Sequence, residues 1–140
     1  MKRIIKILND HQYQYAMFDQ TMVIKNKYDL YVNLIQVSKS LIITYDFDIQ
    51  FKDEFVMPII VFCNEYNRFS NIGCMEYDYA SKQISYSIKN NIMDIDINDN
   101  YFLYLLDSMN KTISKFDTTL KQFNEYQIDL KQLLETIVKE

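Results

Sequence analysis

Residues 98–139 constrain the fold most, because they contain neither Gly nor Pro and repeat apolar residues at steps of 4 and 3 positions. Gln127 is the only polar member of this series. About five such heptads predict a long helix, or a pair of helices, with one apolar stripe. Asn98 or Asp99 is the predicted N-cap of the segment. The fold must therefore provide something that covers the stripe.

The middle of the chain has the two-residue period of β-strands. The segment 29–47 predicts a hairpin whose second strand, 41–47, buries one face. The first strand of that hairpin is apolar on both faces, so it is expected to be covered on both. A second hairpin is predicted over 75–89, and shorter strands are expected near residues 15–17 and 22–24.

Two helices are predicted ahead of the C-terminal segment. The first covers 2–9 and has one apolar side. The second covers 55–66, because Asp53 and Glu54 precede it and Pro58 lies in its first turn. It is apolar nearly all round, so it is expected to be the most buried helix, clamped between the sheet and another layer. The predicted class is α+β: an antiparallel sheet with helices packed on it, in the order α-β-β-β-α-β-β-α, ending in a long C-terminal helix or helix pair.

Residue counts exclude most enzymatic sites. The single Gly and single Pro rule out glycine-rich phosphate loops. The only histidine, His11, is predicted to be a solvated side chain near the end of the first helix, so no histidine-based triad or zinc site is expected. The acidic cluster 94–100 begins with the ligand spacing of a calcium loop, but it has Asp99 where Gly is needed and Leu105 where a bidentate Glu is needed. We therefore predict no catalytic residue, no cofactor and no metal site, and the chain is not expected to be an enzyme.

Charge and hydropathy narrow the range of partners. The chain has 15 basic and 19 acidic side chains, a net charge of −4, and residues 41–100 hold 4 basic against 10 acidic ones. This balance disfavours nucleic acid and suits a basic protein surface. No apolar stretch reaches the ~18 residues of a membrane span, so no membrane contact is expected. Cys63 and Cys74 have the spacing of neither a redox pair nor a metal knuckle. Together with the missing membrane span, this makes the cytoplasm the expected location.

A resemblance to a known family rests on the end of the second helix and the hairpin after it. The residues concerned are Cys63-Asn64-Glu65-Tyr66-Asn67-Arg68-Phe69, Gly73, Met75-Glu76-Tyr77-Asp78 and Gln83-Ile84-Ser85-Tyr86-Ser87-Ile88. With these residues and the order of its elements, the chain resembles the YbjN-like domain, which has the fold of type III secretion chaperones. The resemblance implies a small noncatalytic α+β protein, commonly dimeric, that serves as a chaperone-like or signalling-associated module. It transfers no catalytic residue, and Asn64 and Asn67 are expected to cap the second helix.

The resemblance covers residues 1–117, so the predicted division is a YbjN-like, secretion-chaperone-like domain over 1–117 with a C-terminal helical extension over 118–140. Two functions follow. The first is a noncatalytic protein-binding module, chaperone-like or regulatory, that holds a partner by its sheet edges or its last helix. The second is a sensor of a small molecule or peptide, with a cleft between helix and sheet. An exposed apolar patch would favour the first function, and a closed apolar pocket the second.

The part of the apolar stripe beyond residue 117 needs a partner. One outcome is a break near Asp117-Thr118-Thr119, where Thr119 and Gln122 would form a capping box and let a second helix fold back. The other outcome, which we favour, is a homodimer in which the stripe pairs with its counterpart. The residues predicted to bind the partner are Phe116, Leu120, Phe123, Gln127, Leu130, Leu134 and Ile137.

Overall fold

A computed structural model describes residues 1–25, 30–91 and 96–137. Within these residues the helices are α1 (Lys2–Asp10), α2 (Val56–Phe69), α3 (Asp99–Asn124) and α4 (Leu130–Glu135), and a short 3-10 turn, Asp53–Phe55, leads into α2. The strands are β1 (Gln14–Phe18), β2 (Thr21–Lys25), β3 (Tyr31–Val37), β4 (Ser40–Asp46), β5 (Cys74–Asp78) and β6 (Gln83–Asn90). They form an antiparallel sheet in the order β1-β2-β3-β4-β6-β5. The predicted α+β class and element order are confirmed, and β1 and β2 are the shorter strands expected near residues 15–17 and 22–24, which the order α-β-β-β-α-β-β-α counts as one.

Two compact units divide the chain: residues 1–45 with 88–111, and residues 46–87 with 112–140. The first half of α3 belongs to the first unit and its second half to the second. The division predicted at residue 117 falls within α3 and stays a prediction.

The first unit is a meander of β1 to β4 with α1 beside β1. Its tight turns use residues other than Gly in the left-handed region, Asp19 (φ 54°) between β1 and β2 and Ser38 (φ 55°) between β3 and β4. The predicted hairpin of β3 and β4 is confirmed for its described residues. The expectation that β3 is covered on both faces is wrong, because Tyr31 and Val37 are 58% and 52% exposed while Val32 and the other inward residues are buried.

The core of the first unit comes from one side of α1 and from alternate strand residues, as the periodicity predicts. Its buried members include Ile4, Ile7, Leu8, Met22, Ile24, Val32, Leu34, Leu41 and Ile43. The start of α3 also follows the prediction. The Asn98 side-chain oxygen accepts hydrogen bonds from the backbone N–H groups of Asn100 (2.9 Å) and Tyr101 (3.2 Å), so Asn98 is the N-cap.

The second unit packs α2 on β5. The single glycine allows the backbone just ahead of β5 to approach the buried Tyr86 of β6, because a Cβ at Gly73 would lie 2.8 Å from Cε2 of that ring and nearer still to its Cζ and hydroxyl oxygen. Asn67 links α2 to β5, since its side chain accepts from the Met75 N–H (2.7 Å) and donates to the Met75 carbonyl (2.9 Å). The expectation that Asn67 caps the helix is therefore wrong, because its amide pairs with a strand, and Asn64 is exposed.

The second helix is less enclosed than its composition predicts. Ile59 and Phe62 are fully buried, yet Met57, Ile60 and Val61 are 66%, 36% and 42% exposed. The prediction that α2 is clamped between two layers is wrong for this outer face. An apolar strip of α2 is consequently left in contact with solvent.

Candidate interaction groove between α2 and α4

The C-terminal part of the second unit folds back because α3 ends at Asn124. Tyr126 has a φ of 61°, the left-handed conformation in which helix ends usually carry Gly. The Tyr126 N–H donates to the Phe123 carbonyl (3.2 Å), and the Gln127 N–H donates to the Gln122 carbonyl (2.8 Å). This pair of bonds is the Schellman motif, which ends a helix and redirects the chain.

Asn124 anchors that turn to the segment ahead of α2. Its buried side chain accepts from the Lys52 N–H (3.2 Å) and donates to the Gln50 carbonyl (3.2 Å). The Lys52 ammonium donates to the Asn124 carbonyl (2.9 Å) and lies 4.2 Å from the centre of the Tyr126 ring. The Phe55 ring lies 5.1 Å from the same ring, centroid to centroid. These contacts fix where the chain starts α4 relative to α2.

A capping box starts α4. The Asp129 carboxylate accepts from the Gln132 N–H (2.8 Å), and the Gln132 side-chain oxygen accepts from the Asp129 N–H (2.9 Å). The helix break predicted near Asp117 and Thr119 is in the wrong place, because both residues lie inside α3 and Asp117 pairs with Lys121 at 3.0 Å. A fold-back helix was one of the two expected outcomes, and α4 is such a helix, packed on α2.

Two adjoining cavities lie between α2 and α4, and we call them together the α2–α4 groove. Their volumes are about 500 Å³ and about 620 Å³, and Leu130 lines both of them. The first lies beside the start of α2 and the second beside its end. Apolar residues that line the groove are Phe55, Pro58, Phe69, Phe123, Ile128, Leu130, Leu134 and Ile137. The lining residues at the two ends of α2, Phe55 and Phe69, are about four helical turns apart.

Acidic side chains surround these apolar residues. The charged residues lining the groove are Glu54, Glu65, Asp129, Lys131 and Glu135. Glu54 accepts a hydrogen bond from the Tyr126 hydroxyl, which raises the pKa of that hydroxyl above its ordinary value. Glu65 lies 4.0 Å from the Arg68 guanidinium, an exposed pair that stabilises little. The lining carries four carboxylates and one ammonium, with the Arg68 guanidinium beside Glu65 and the Lys52 ammonium over the Tyr126 ring as two further cations next to it, so the balance of charge at the groove is negative.

The structure places five of the seven predicted partner-binding residues along this groove. These five are Phe123, Gln127, Leu130, Leu134 and Ile137. Among them Phe123 and Ile137 are buried, Leu130 and Leu134 are half-buried, and Gln127 is exposed. Phe116 and Leu120 are buried in their own chain, where the Phe116 ring packs edge-on against Phe62 at 5.4 Å. The role of this set in binding a partner stays a prediction.

Sequence reasoning missed the α2 side of the groove. Val61 lies three residues from Pro58 and four from Glu65, so the exposed strip of α2 adjoins the groove residues on the helix surface. The available signal was the apolar character of α2 all round, which is typical either of a fully buried helix or of one with a binding face.

Other side chains considered in the sequence do not form a reactive site. Burial raises the pKa of the Cys63 thiol to about 12, and the neighbouring Cys74 contributes in the same direction, so Cys63 is not a thiolate nucleophile. His11 is exposed just after α1. Within the described ranges, no group of three or more His, Cys, Asp or Glu side chains is arranged to hold a metal ion. Asp94 of the acidic cluster lies outside those ranges.

No known protein family matches the chain. No curated protein matches it at a significant level either. Solved structures do match. YbjN from E. coli, a proposed transcription regulator, superimposes with a TM-score of 0.67 at 11% sequence identity, over 90% of this chain and 92% of that one. An uncharacterized protein from Methanothermobacter thermautotrophicus gives a TM-score of 0.58 at 12% identity, over 87% of this chain and 97% of that one.

These similarities show that the chain has the YbjN-like fold, as its resemblance to that domain implies. For the part of the chain that the structure describes, no helix combines the length and the apolar character needed to cross a bilayer.

Proposed function

We propose that this chain is a noncatalytic protein-binding module, chaperone-like or regulatory, which holds its partner in the α2–α4 groove. A cytoplasmic location is part of this proposal. The observation that carries it is the apolar groove itself, which the half-buried Leu130 and Leu134 line and which the exposed Val61 adjoins on the α2 surface through Pro58 and Glu65. Apolar surface that a fold leaves contiguous and solvent-exposed is typical of interaction sites. The similarity to YbjN, itself a proposed regulator, is consistent with a regulatory role.

The alternative function, a sensor of a small molecule or peptide, predicts a closed cleft between helix and sheet. The two cavities described above are instead lined by helical and turn residues of α2, α4 and the segment before α4. This arrangement supports docking of a protein segment better than enclosure of a small ligand.

The homodimer predicted from the heptad spacing would use the same surface. Leu130 and Leu134 are the apolar stripe residues that a second copy would reach, since Phe116 and Leu120 are buried. A two-fold dimer brings the same patch of both copies together. The acidic side chains around one groove would then meet those around the other, and this repulsion favours a different protein as the partner.

Affinity purification with matched variants tests the proposal. The tagged chain is isolated from the cells that produce it, as wild type and as Leu134→Glu, Val61→Glu and Val37→Glu. Val37 is exposed at the end of β3 and serves as the control. We expect at least one protein that the wild type and Val37→Glu retain and that both groove variants lose. Val61 is already in contact with solvent, so this variant still reports if Leu134→Glu fails to fold.

Equal recovery of all bound proteins by the four forms would contradict the proposal. Sedimentation equilibrium of the purified wild type, at about 100 micromolar, measures the homodimer separately. A dimer that Leu134→Glu dissociates would make the second copy the partner.

A further inference from the structure

We infer that the occupant of the α2–α4 groove is a basic amphipathic helix of a partner protein. The inference rests on the proposed function and adds the chemistry of the partner. Three features of the groove lead to it: its length, the kind of contact that it offers, and its charge.

The groove suits an element of about four helical turns. Phe55 and Pro58 line it at the start of α2 and Glu65 and Phe69 at its end, and Phe55 and Phe69 are roughly 20 Å apart at 1.5 Å per residue. A partner helix of about 14 residues spans that length and presents three or four apolar side chains on one face. Pro58, Leu130 and Leu134 are the apolar groups that such a face would contact.

The groove offers a partner protein apolar side chains to contact, not a row of unpaired backbone groups for hydrogen bonds. Its lining residues come from helices and turns and none of them lies in a strand, so the groove has no sheet edge, and the first turn of α4 is capped by Asp129 and Gln132. An extended peptide needs unpaired backbone groups, as a sheet edge provides. A helix satisfies its own backbone groups and needs only apolar contact, which is what this groove supplies.

The charge of the groove selects a basic helix. The carboxylates of Glu54, Glu65, Asp129 and Glu135 line it with Lys131 as the one lining cation among the described residues. Three of these carboxylates belong to exposed residues, and Glu65 is half-buried. Lys and Arg on the polar face of an incoming helix would therefore meet opposite charge on both walls of the groove, while acidic residues would be repelled.

Binding of two matched synthetic peptides tests the inference. Both are labelled helical peptides of about 18 residues with the same Leu spacing, one with Lys and Arg on its polar face and the other with Glu. Fluorescence anisotropy is measured with the full chain at about 50 mM and about 500 mM salt. We expect the basic peptide to bind at least about tenfold more tightly at low salt, with a smaller difference at high salt.

Reversing the charge of two groove residues tests whether the preference for the basic peptide arises in the groove. The variant Glu65→Lys/Glu135→Lys should lose the preference and favour the acidic peptide. The control Asp46→Lys/Asp48→Lys changes two exposed carboxylates outside the groove and adds the same charge, so it should keep the preference for the basic peptide.

Equal affinity for both peptides would overturn the inference, as would an equal loss of preference in the control variant. A dimer in sedimentation that Leu134→Glu dissociates would also overturn it, since a second copy would then fill the groove. If the affinity purification still shows loss by the groove variants while the peptides bind equally, the proposed function stands and this inference alone is wrong.

Discussion

Replacement of Phe62 by Ala tests how the second unit is held together. Phe62 has no solvent exposure, and its ring lies 5.4 Å from that of Phe116 and 6.3 Å from that of Tyr66, centroid to centroid. Removing a buried Phe side chain loses its transfer free energy and leaves a cavity, which together cost about 3 to 5 kcal/mol. Since both aromatic contacts are also lost, we expect a value near 4 kcal/mol, a large share of the ~5 to 15 kcal/mol of a typical domain.

Urea denaturation followed by circular dichroism measures this change, and the slope of free energy against urea shows whether the unfolded state has changed. Met57→Ala is the matched control on the same helix, because Met57 is 66% exposed and should cost under about 0.5 kcal/mol. A loss below about 1 kcal/mol for Phe62→Ala, or equal losses for both variants, would refute the packing that we describe.

Three further predictions concern single residues. Gly73→Ala should destabilise the chain by about 1 to 3 kcal/mol in urea denaturation, because the added methyl displaces the buried Tyr86 ring. Ser38→Gly should stabilise it by about 0.5 to 1 kcal/mol by relieving the left-handed backbone, and Lys39→Gly, its neighbour in the turn, should give no gain. The Cys63 thiol, with its pKa raised to about 12, should resist iodoacetamide at pH 8 in the folded chain but react in urea. Its contribution to stability is complete below the pKa of the unfolded thiol and is lost as pH rises towards about 12, so thermal stability should fall above about pH 9.

Local sequence patterns predicted the helices and strands that have one buried face and one exposed face. The alternation around Tyr86 predicted its strand, and the heptad spacing predicted the helix α3. The same spacing predicted Phe116 and Leu120 as partner-binding residues, whereas the structure buries both in their own chain. The N-cap of α3 was predicted to within one residue, Asn98 or Asp99, because a capping residue acts on its neighbours in sequence, and the structure shows that it is Asn98.

The end of α3 and the exposure of α2 depend on more than local sequence. Tyr126 has the left-handed backbone conformation that Gly usually adopts just after a helix. Because there is no Gly at this position, the sequence does not predict the true end of α3. The capping box at Asp129 and Gln132 has the same three-residue spacing as Thr119 and Gln122, so spacing alone does not distinguish the true start of a helix from a pair inside α3. The exposure of Val61 cannot be predicted from the sequence, because the burial of an apolar helix depends on which elements cover it in the folded chain.

The groove itself joins two segments far apart in sequence, residues 54–69 and 123–137, so neither segment alone indicates it. The apolar stripe did identify Leu130 and Leu134 as partner-binding candidates. The acidic groove residue Glu65 comes from the other segment and could be added only from the fold.

Photo-crosslinking in the producing cells tests the central claim most directly, namely that the partner binds the α2–α4 groove. A benzophenone amino acid replaces either Val61 or Val37, two valines with similar exposure, 42% and 52%, on different units of the chain. After irradiation, we expect a covalent adduct of the chain with another protein from position 61 and none from position 37. Adducts from position 37 alone, or none from either position, would contradict the account.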